Sequence, residues 1–188
     1  MRVIAGLYRS RVLHAPPGLD TRPTSDRLRE TLFNVLAPRI EGAIFLDLYA
    51  GSGAVGIEAL SRGAKQAFFV EQAEPALHAI RANLAALDIK DNYSLEARSV
   101  SAALKRLTAT SQHPDLIFLD PPYAQEKEYA ATLSLLGGEF GSLLAPNAIV
   151  VAEHEKRREL DPQYGTLIRY RVLKQGDAAL SFYRAEPV

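Results

Sequence analysis

Two short stretches carry residue types that could do chemistry. The first is Asp120-Pro121-Pro122-Tyr123, which follows the apolar run Leu116-Ile117-Phe118-Leu119. Two prolines force an extended backbone and remove two N–H donors. Acceptors remain, namely the Asp120 carboxylate and the Pro121 carbonyl, and Tyr123 adds a flat face. That set suits a planar substrate presenting an NH2 group, such as a nucleobase. The amine donates both hydrogens, and the ring stacks on Tyr123, a contact worth roughly 1–3 kcal/mol per base. A rigid strand exit accounts for the prolines alone, but not for the acid before them and the aromatic after them.

The second stretch runs Asp47-Leu48-Tyr49-Ala50-Gly51-Ser52-Gly53-Ala54-Val55-Gly56. Gly51 and Gly53 let a backbone approach a ligand closely. A helix from Ala54 onward aims its free N–H groups and positive dipole end at that ligand. The glycine spacing matches the dinucleotide fingerprint, and Glu71 falls at the tip of the next strand, where an acid binds ribose hydroxyls. A nicotinamide oxidoreductase is therefore one reading. Asp47 argues against it, because its charge lies close to the place of a pyrophosphate and repels one. A cofactor bearing an ammonium group welcomes that carboxylate. S-adenosylmethionine has such a group, lacks phosphate and still offers ribose hydroxyls to Glu71. The expected cofactor contacts here are Asp47, Tyr49, Gly51, Ser52, Gly53 and Glu71.

These residues need a scaffold, and apolar periodicity supplies one. Strands are expected near 44–50, 67–72, 93–98, 115–120 and 148–153, with helices near 54–62, 75–87, 101–109 and 126–136. Such alternation with apolar strands means a parallel sheet covered on both faces. The tail differs. Leu167 to Lys174, Gln175-Gly176-Asp177 and Ala178 to Tyr183 read as strand, turn, strand, a hairpin closing one sheet edge. Residues 1–40 read as two short strands, Arg2 to Gly6 and Arg11 to Leu13, then a helix capped by Thr24 or Ser25 and ended by Pro38. We expect this segment to be a basic extension on a main domain over 41–188. It carries seven arginines (Arg2, Arg9, Arg11, Arg22, Arg27, Arg29, Arg39) against Asp20, Asp26 and Glu30, in a chain of zero formal net charge. Arginine binds phosphate bidentately.

The 188 residues contain no cysteine, hence no disulfide or thiolate site, and no apolar run near the ~20 residues of a membrane span. The start breaks too early for a signal peptide. His14, His78, His113 and His154 lie scattered without a second ligand at metal spacing, so no metal is expected, and they read as ordinary surface or helix residues. Glu153-His154-Glu155 reads as the solvated end of a strand. Together these features point to the cytoplasm.

The glycine stretch, the acidic second-strand tip and the Asp-Pro-Pro-Tyr box together resemble class I S-adenosylmethionine-dependent methyltransferases that modify exocyclic amines. Arg22-Pro23-Thr24-Ser25-Asp26-Arg27-Leu28-Arg29-Glu30-Thr31-Leu32-Phe33-Asn34 resembles more narrowly the RsmD family of bacterial 16S ribosomal RNA guanine-N2 methyltransferases, and the likeness runs on to Leu180-Ser181-Phe182-Tyr183-Arg184. The resemblance implies a Rossmann-like α/β fold with a seven-stranded, mostly parallel sheet and an antiparallel C-terminal strand. It implies Asp120, Pro121 and Tyr123 as the catalytic set, and 16S rRNA, within a 30S subunit or its assembly intermediate, as partner. Arg22, Arg27 and Arg29 are the expected RNA contacts. One departure is visible: the third strand tip, which often carries an acid for the adenine amine in these enzymes, offers Ser99 and the Val100 N–H instead. DNA adenine-N6 and cytosine-N4 methyltransferases share the site but usually carry an extra recognition domain. A non-catalytic RNA-binding module leaves Asp120 unexplained.

Overall fold

The structure is a computed structural model that describes residues 1–16, 25–122 and 125–185. In chain order the elements are α1 (Asp26–Ile40), β1 (Ile44–Leu48), α2 (Ala54–Ser61), β2 (Gln66–Glu71), α3 (Glu74–Ala86), β3 (Tyr93–Ala97), α4 (Val100–Thr108), β4 (Leu116–Leu119), α5 (Glu126–Gly137), β5 (Ile149–Glu155), β6 (Gln163–Tyr164), β7 (Leu167–Gln175) and β8 (Ala178–Ala185). A one-turn 3-10 helix spans Gly141–Leu143.

The strands form one sheet in the order β3-β2-β1-β4-β5-β8-β7-β6. β1 to β5 are parallel, and β8 lies antiparallel to β5 and β7. The sheet has eight strands, one more than expected, because the two residues Gln163–Tyr164 pair with Leu167 and Ile168 at the far edge. The β7–β8 hairpin therefore extends the sheet beside β5, and β6 provides the edge.

Successive strand residues face opposite layers. Phe45, Phe118, Val151 and Phe182 pack with Leu32, Phe33 and Leu36 of α1 on one face. Leu46, Leu48, Ile117 and Val150 pack with Leu104, Leu107 and Leu133 on the other. α1 thus belongs to the core of the sheet. Residues 1–13 pack through Val3 and Leu13 against Ile57, Phe69 and Ile80. They do not form two strands: Arg2 and Val12 make an isolated bridge.

Pro38 lies inside α1 and does not end it. Proline removes an N–H that would pair four residues back, but Asn34 and Pro38 are both exposed, so that turn of the helix faces solvent. Buried Ile40 holds the last turn in place. Ser25 caps the helix by accepting from Leu28 N at 3.2 Å; Thr24, the alternative cap, lies outside the described residues.

The expectation of a solvated strand end at 153–155 fails for two of its three residues. Glu153 and His154 are buried because β8 runs alongside them, pairing them with Leu180 and Ala179. His154 is accordingly no surface residue. Its Nδ1 donates to Glu155 O, and its Nε2 accepts from Ser181 Oγ, each at 2.9 Å. Burial lowers its pKa below the ordinary histidine value.

Candidate active site

β1, β2 and β4 deliver their carboxyl ends to one rim of the sheet, where ligands bind in open parallel sheets. A cavity of ≈ 540 Å³ opens there, and its lining includes Asp47, Tyr49, Gly51, Ser52, Glu71 and Asp120. The structure therefore brings both chemical stretches to one place. Ser99, Val100 and Pro122 also line it. Tyr123 and Arg22 lie outside the described residues.

The glycine turn is built by backbone constraint. Gly53 holds φ +75° and precedes α2, with its N–H donating to Ala50 O at 2.7 Å. It is not among the cavity-lining residues, and its part in the turn is conformational. A Cβ on Gly56 would lie 2.3 Å from Phe69 Cε1, so that glycine lets α2 sit close on β2. Tyr49 holds φ +62°, a conformation unusual for an aromatic residue. Its Oη donates to Glu128 Oε2 at 2.7 Å and bonds Thr132 Oγ1 at 2.6 Å, which fastens the turn to α5. Asn83 of α3 donates to Ser52 O at 2.9 Å.

Glu71 accepts from Gly51 N at 3.0 Å, Gln72 N at 2.8 Å and Ala73 N at 2.9 Å. An ionised carboxylate has about four acceptor sites, so one remains for a ligand hydroxyl. Ser99 caps α4 weakly, accepting from Ala102 N at 3.4 Å, and Val100 opens that helix.

Acids dominate the electrostatics. Asp47 is 1% exposed and accepts from Gly56 N at 2.9 Å. Burial raises its pKa to about 7, against the Gly56 hydrogen bond and with a further push from Glu71. Partial protonation at neutral pH weakens the repulsion of a pyrophosphate expected from Asp47 alone. Glu71 and Glu128 line the cavity as well, and among the described lining residues Arg98, itself paired with Glu96 at 3.1 Å, is the one cationic side chain. Among the described residues no cation pairs with Asp47. Such a cavity favours a positively charged ligand and disfavours a phosphate. Asp120 is raised well above the usual carboxylate range, first by burial, then by Glu153 and Asp47. Pro121 is buried and is not among the cavity-lining residues; its carbonyl accepts from Tyr129 Oη at 3.3 Å, which uses one of its two lone pairs.

Arg29 is a correction. It is fully buried, its Nη2 bonded to Asp26 Oδ1 at 2.9 Å and to Arg2 O, with Glu58 Oε2 3.8 Å from its Nε. A side chain without exposed surface cannot hold a phosphate. Arg27 is exposed. Reading the sequence also missed Tyr129, Glu128, Thr132, Asn83 and Glu153. Asn83 had a signal, as a polar residue on the stripe shared by Ile80 and Leu84.

Parallel strands in this order, an antiparallel β8 beside β5 and an acidic cavity at the strand tips define a class I S-adenosylmethionine-dependent methyltransferase. The family model described as conserved hypothetical protein 95 matches residues 1–184, and the chain belongs to this family, the RsmD family. It is similar to the Escherichia coli (strain K12) protein named ribosomal RNA small subunit methyltransferase D, with 36% identity over 187 residues, 99% of this chain and 90% of that one. Bacillus subtilis YlbH is 38% identical over 188 residues, 98% of each chain. The solved structure of Escherichia coli yhhF superposes with a TM-score of 0.84 at 33% identity, over 100% of this chain and 99% of that one.

Proposed function

We propose that the chain methylates 16S ribosomal RNA on the exocyclic N2 amine of a guanine at a guanine-966-type position. The observation that carries this reading is the meeting, in one acidic cavity, of the glycine turn with Asp120 and the proline box. The name of the Escherichia coli relative supports the RNA class. S-adenosylmethionine supplies a methyl group on a cationic sulfur.

A guanine amine is a poor nucleophile because its lone pair is delocalised into the ring. The Asp120 carboxylate and the remaining lone pair of the Pro121 carbonyl accept its two hydrogens and localise that lone pair. Tyr129 Oη fixes the direction of the carbonyl. As the N–CH3 bond forms and the S–CH3 bond breaks, the amine's surplus proton passes to Asp120, whose raised pKa makes it a competent acceptor. Much of the rate gain is positioning. The base leaves its stack to reach the cavity, at a cost of a few kcal/mol. Asp47 faces the cationic side of the cofactor, Glu71 a ribose hydroxyl, and Arg27 an RNA phosphate.

The test is incubation with labelled cofactor and undermethylated small subunits, followed by mapping of the modified nucleotide. We expect one N2-methylguanine. Methyl groups in duplex DNA alone, or on a ring atom of the RNA, overturn the reading.

A further inference from the structure

The loss of Arg29 as an RNA contact leaves the question of what holds the strand around the target base. A second concavity answers it. A groove of ≈ 750 Å³ lies between the amino end of α1, the end of β5 and the β7–β8 turn. Arg27 reaches it from α1, Lys156 and Arg157 from the segment after β5, and Lys174 and Gln175 from the end of β7. All four cations are exposed, and none makes an ion pair with another described residue. Three acids share the lining, Glu153, Glu155 and Asp177; Glu153 is buried and Glu155 lies 3.9 Å from Arg158, so the four cations outnumber them by one. Gln175 Oε1 is buried, with no hydrogen-bond partner among the described residues.

Groove and cavity adjoin. β4 and β5 pair with Leu119 opposite Ala152, which sets Asp120 and Glu153 on neighbouring strand tips. Asp120 lines the cavity and Glu153 lines the groove. The groove walls are fixed to each other, since Lys156 N donates to Asp177 O at 2.8 Å.

We infer that this groove carries the RNA strand flanking the target nucleotide, with Arg27, Lys156, Arg157 and Lys174 holding its phosphates. The inference rests on the rRNA reading above. Lysine and arginine at phosphates position the strand without reading sequence.

The test measures binding of deproteinised 16S rRNA across a salt series, and methylation of both that RNA and undermethylated 30S subunits. Each lost single-strand phosphate contact lowers the slope of log K against log salt by about 0.7, so the triple variant K156A/R157A/K174A should lose about 2 from it. RNA affinity should fall on the order of tenfold. Cofactor affinity and melting temperature should match the unsubstituted chain, which shows that the fold is intact. An unchanged slope in the triple variant, with the unsubstituted chain methylating rRNA, overturns the groove assignment alone. Loss of activity on 30S subunits with intact binding of deproteinised RNA assigns the groove to a protein partner and overturns it too. Failure of the unsubstituted chain to methylate any rRNA overturns the functional reading, and the groove assignment with it.

Discussion

At the scale of single residues, the chemistry depends on Asp120 being ionised when the amine arrives and able to hold a proton afterwards. Burial, Glu153 and Asp47 lift its pKa, in that order. Only the ionised form accepts hydrogens from the amine, so turnover at saturating substrates should rise with pH, with an inflection above the ordinary carboxylate range. Asp120→Asn should lower kcat by about 10²-fold or more, the usual scale for a lost general base, with a far smaller effect on cofactor affinity. A pH–rate profile and a cofactor titration on both proteins check this. Tyr129 acts one step back, as a positioning residue. Tyr129→Phe removes the donor to Pro121 O, and a net hydrogen bond of roughly 0.5–1.5 kcal/mol corresponds to a kcat loss of about 2- to 13-fold. A merely structural role for Tyr129 would lower the melting temperature and leave kcat alone. Asp120 was legible in the sequence because its box is local: four consecutive residues state their own chemistry. Tyr129 was not, because its relation to Pro121 exists only once α5 folds back over β4.

At the scale of elements, the strand–helix alternation from β1 to α5 was legible to within one or two residues per end, since apolar period and glycine punctuation are local signals. The failures have physical causes. Arg29 was grouped with Arg22 and Arg27 by charge, although it shares the helical stripe of Phe33, Leu36 and Ile40, spacing that marks a buried face. What buries it is a carboxylate on another element. Glu58 of α2 accepts from Ile4 N at 2.8 Å, Ala5 N at 3.0 Å and Arg62 Nε at 2.7 Å. It ties the first residues of the chain to α1 and α2, at the back of the glycine turn. Removing one member of a buried charge pair costs about 3–5 kcal/mol, because the other charge is left uncompensated. Glu58→Leu should cost an amount on this scale in urea denaturation, and adding Arg29→Met should recover part of it. Equal loss in the single and double variants would show that Glu58 acts through its backbone hydrogen bonds and not through Arg29.

At the scale of the whole molecule, a formal net charge of zero conceals two fields of opposite sign on one rim of the sheet. The cavity lining is rich in acids, and in the neighbouring groove four exposed cations outnumber three acids. Composition could not reveal this, because the two sets come from elements scattered along the chain and meet only at the strand tips. The acidic field has a consequence for stability. A carboxyl raised from 3.8 to about 7, as Asp47 is, contributes stability that is fully present below pH 3.8 and lost as pH rises through about 7. His154 acts in the opposite direction: its lowered pKa means that stability falls as pH drops below the ordinary histidine value of 6.5. A cationic cofactor favours the ionised form of Asp47 and so lowers its pKa. Binding near neutral pH must then release protons, and affinity must grow as pH rises through about 7. Calorimetric titration with S-adenosylmethionine in buffers of different ionisation enthalpy should give observed heats that scale with that enthalpy. The same titration of Asp47→Asn should give heats that no longer scale. If the unsubstituted chain also showed heats independent of buffer at pH 7, Asp47 would not face the charge of the cofactor, and Glu71 and Asp120 would have to balance it alone.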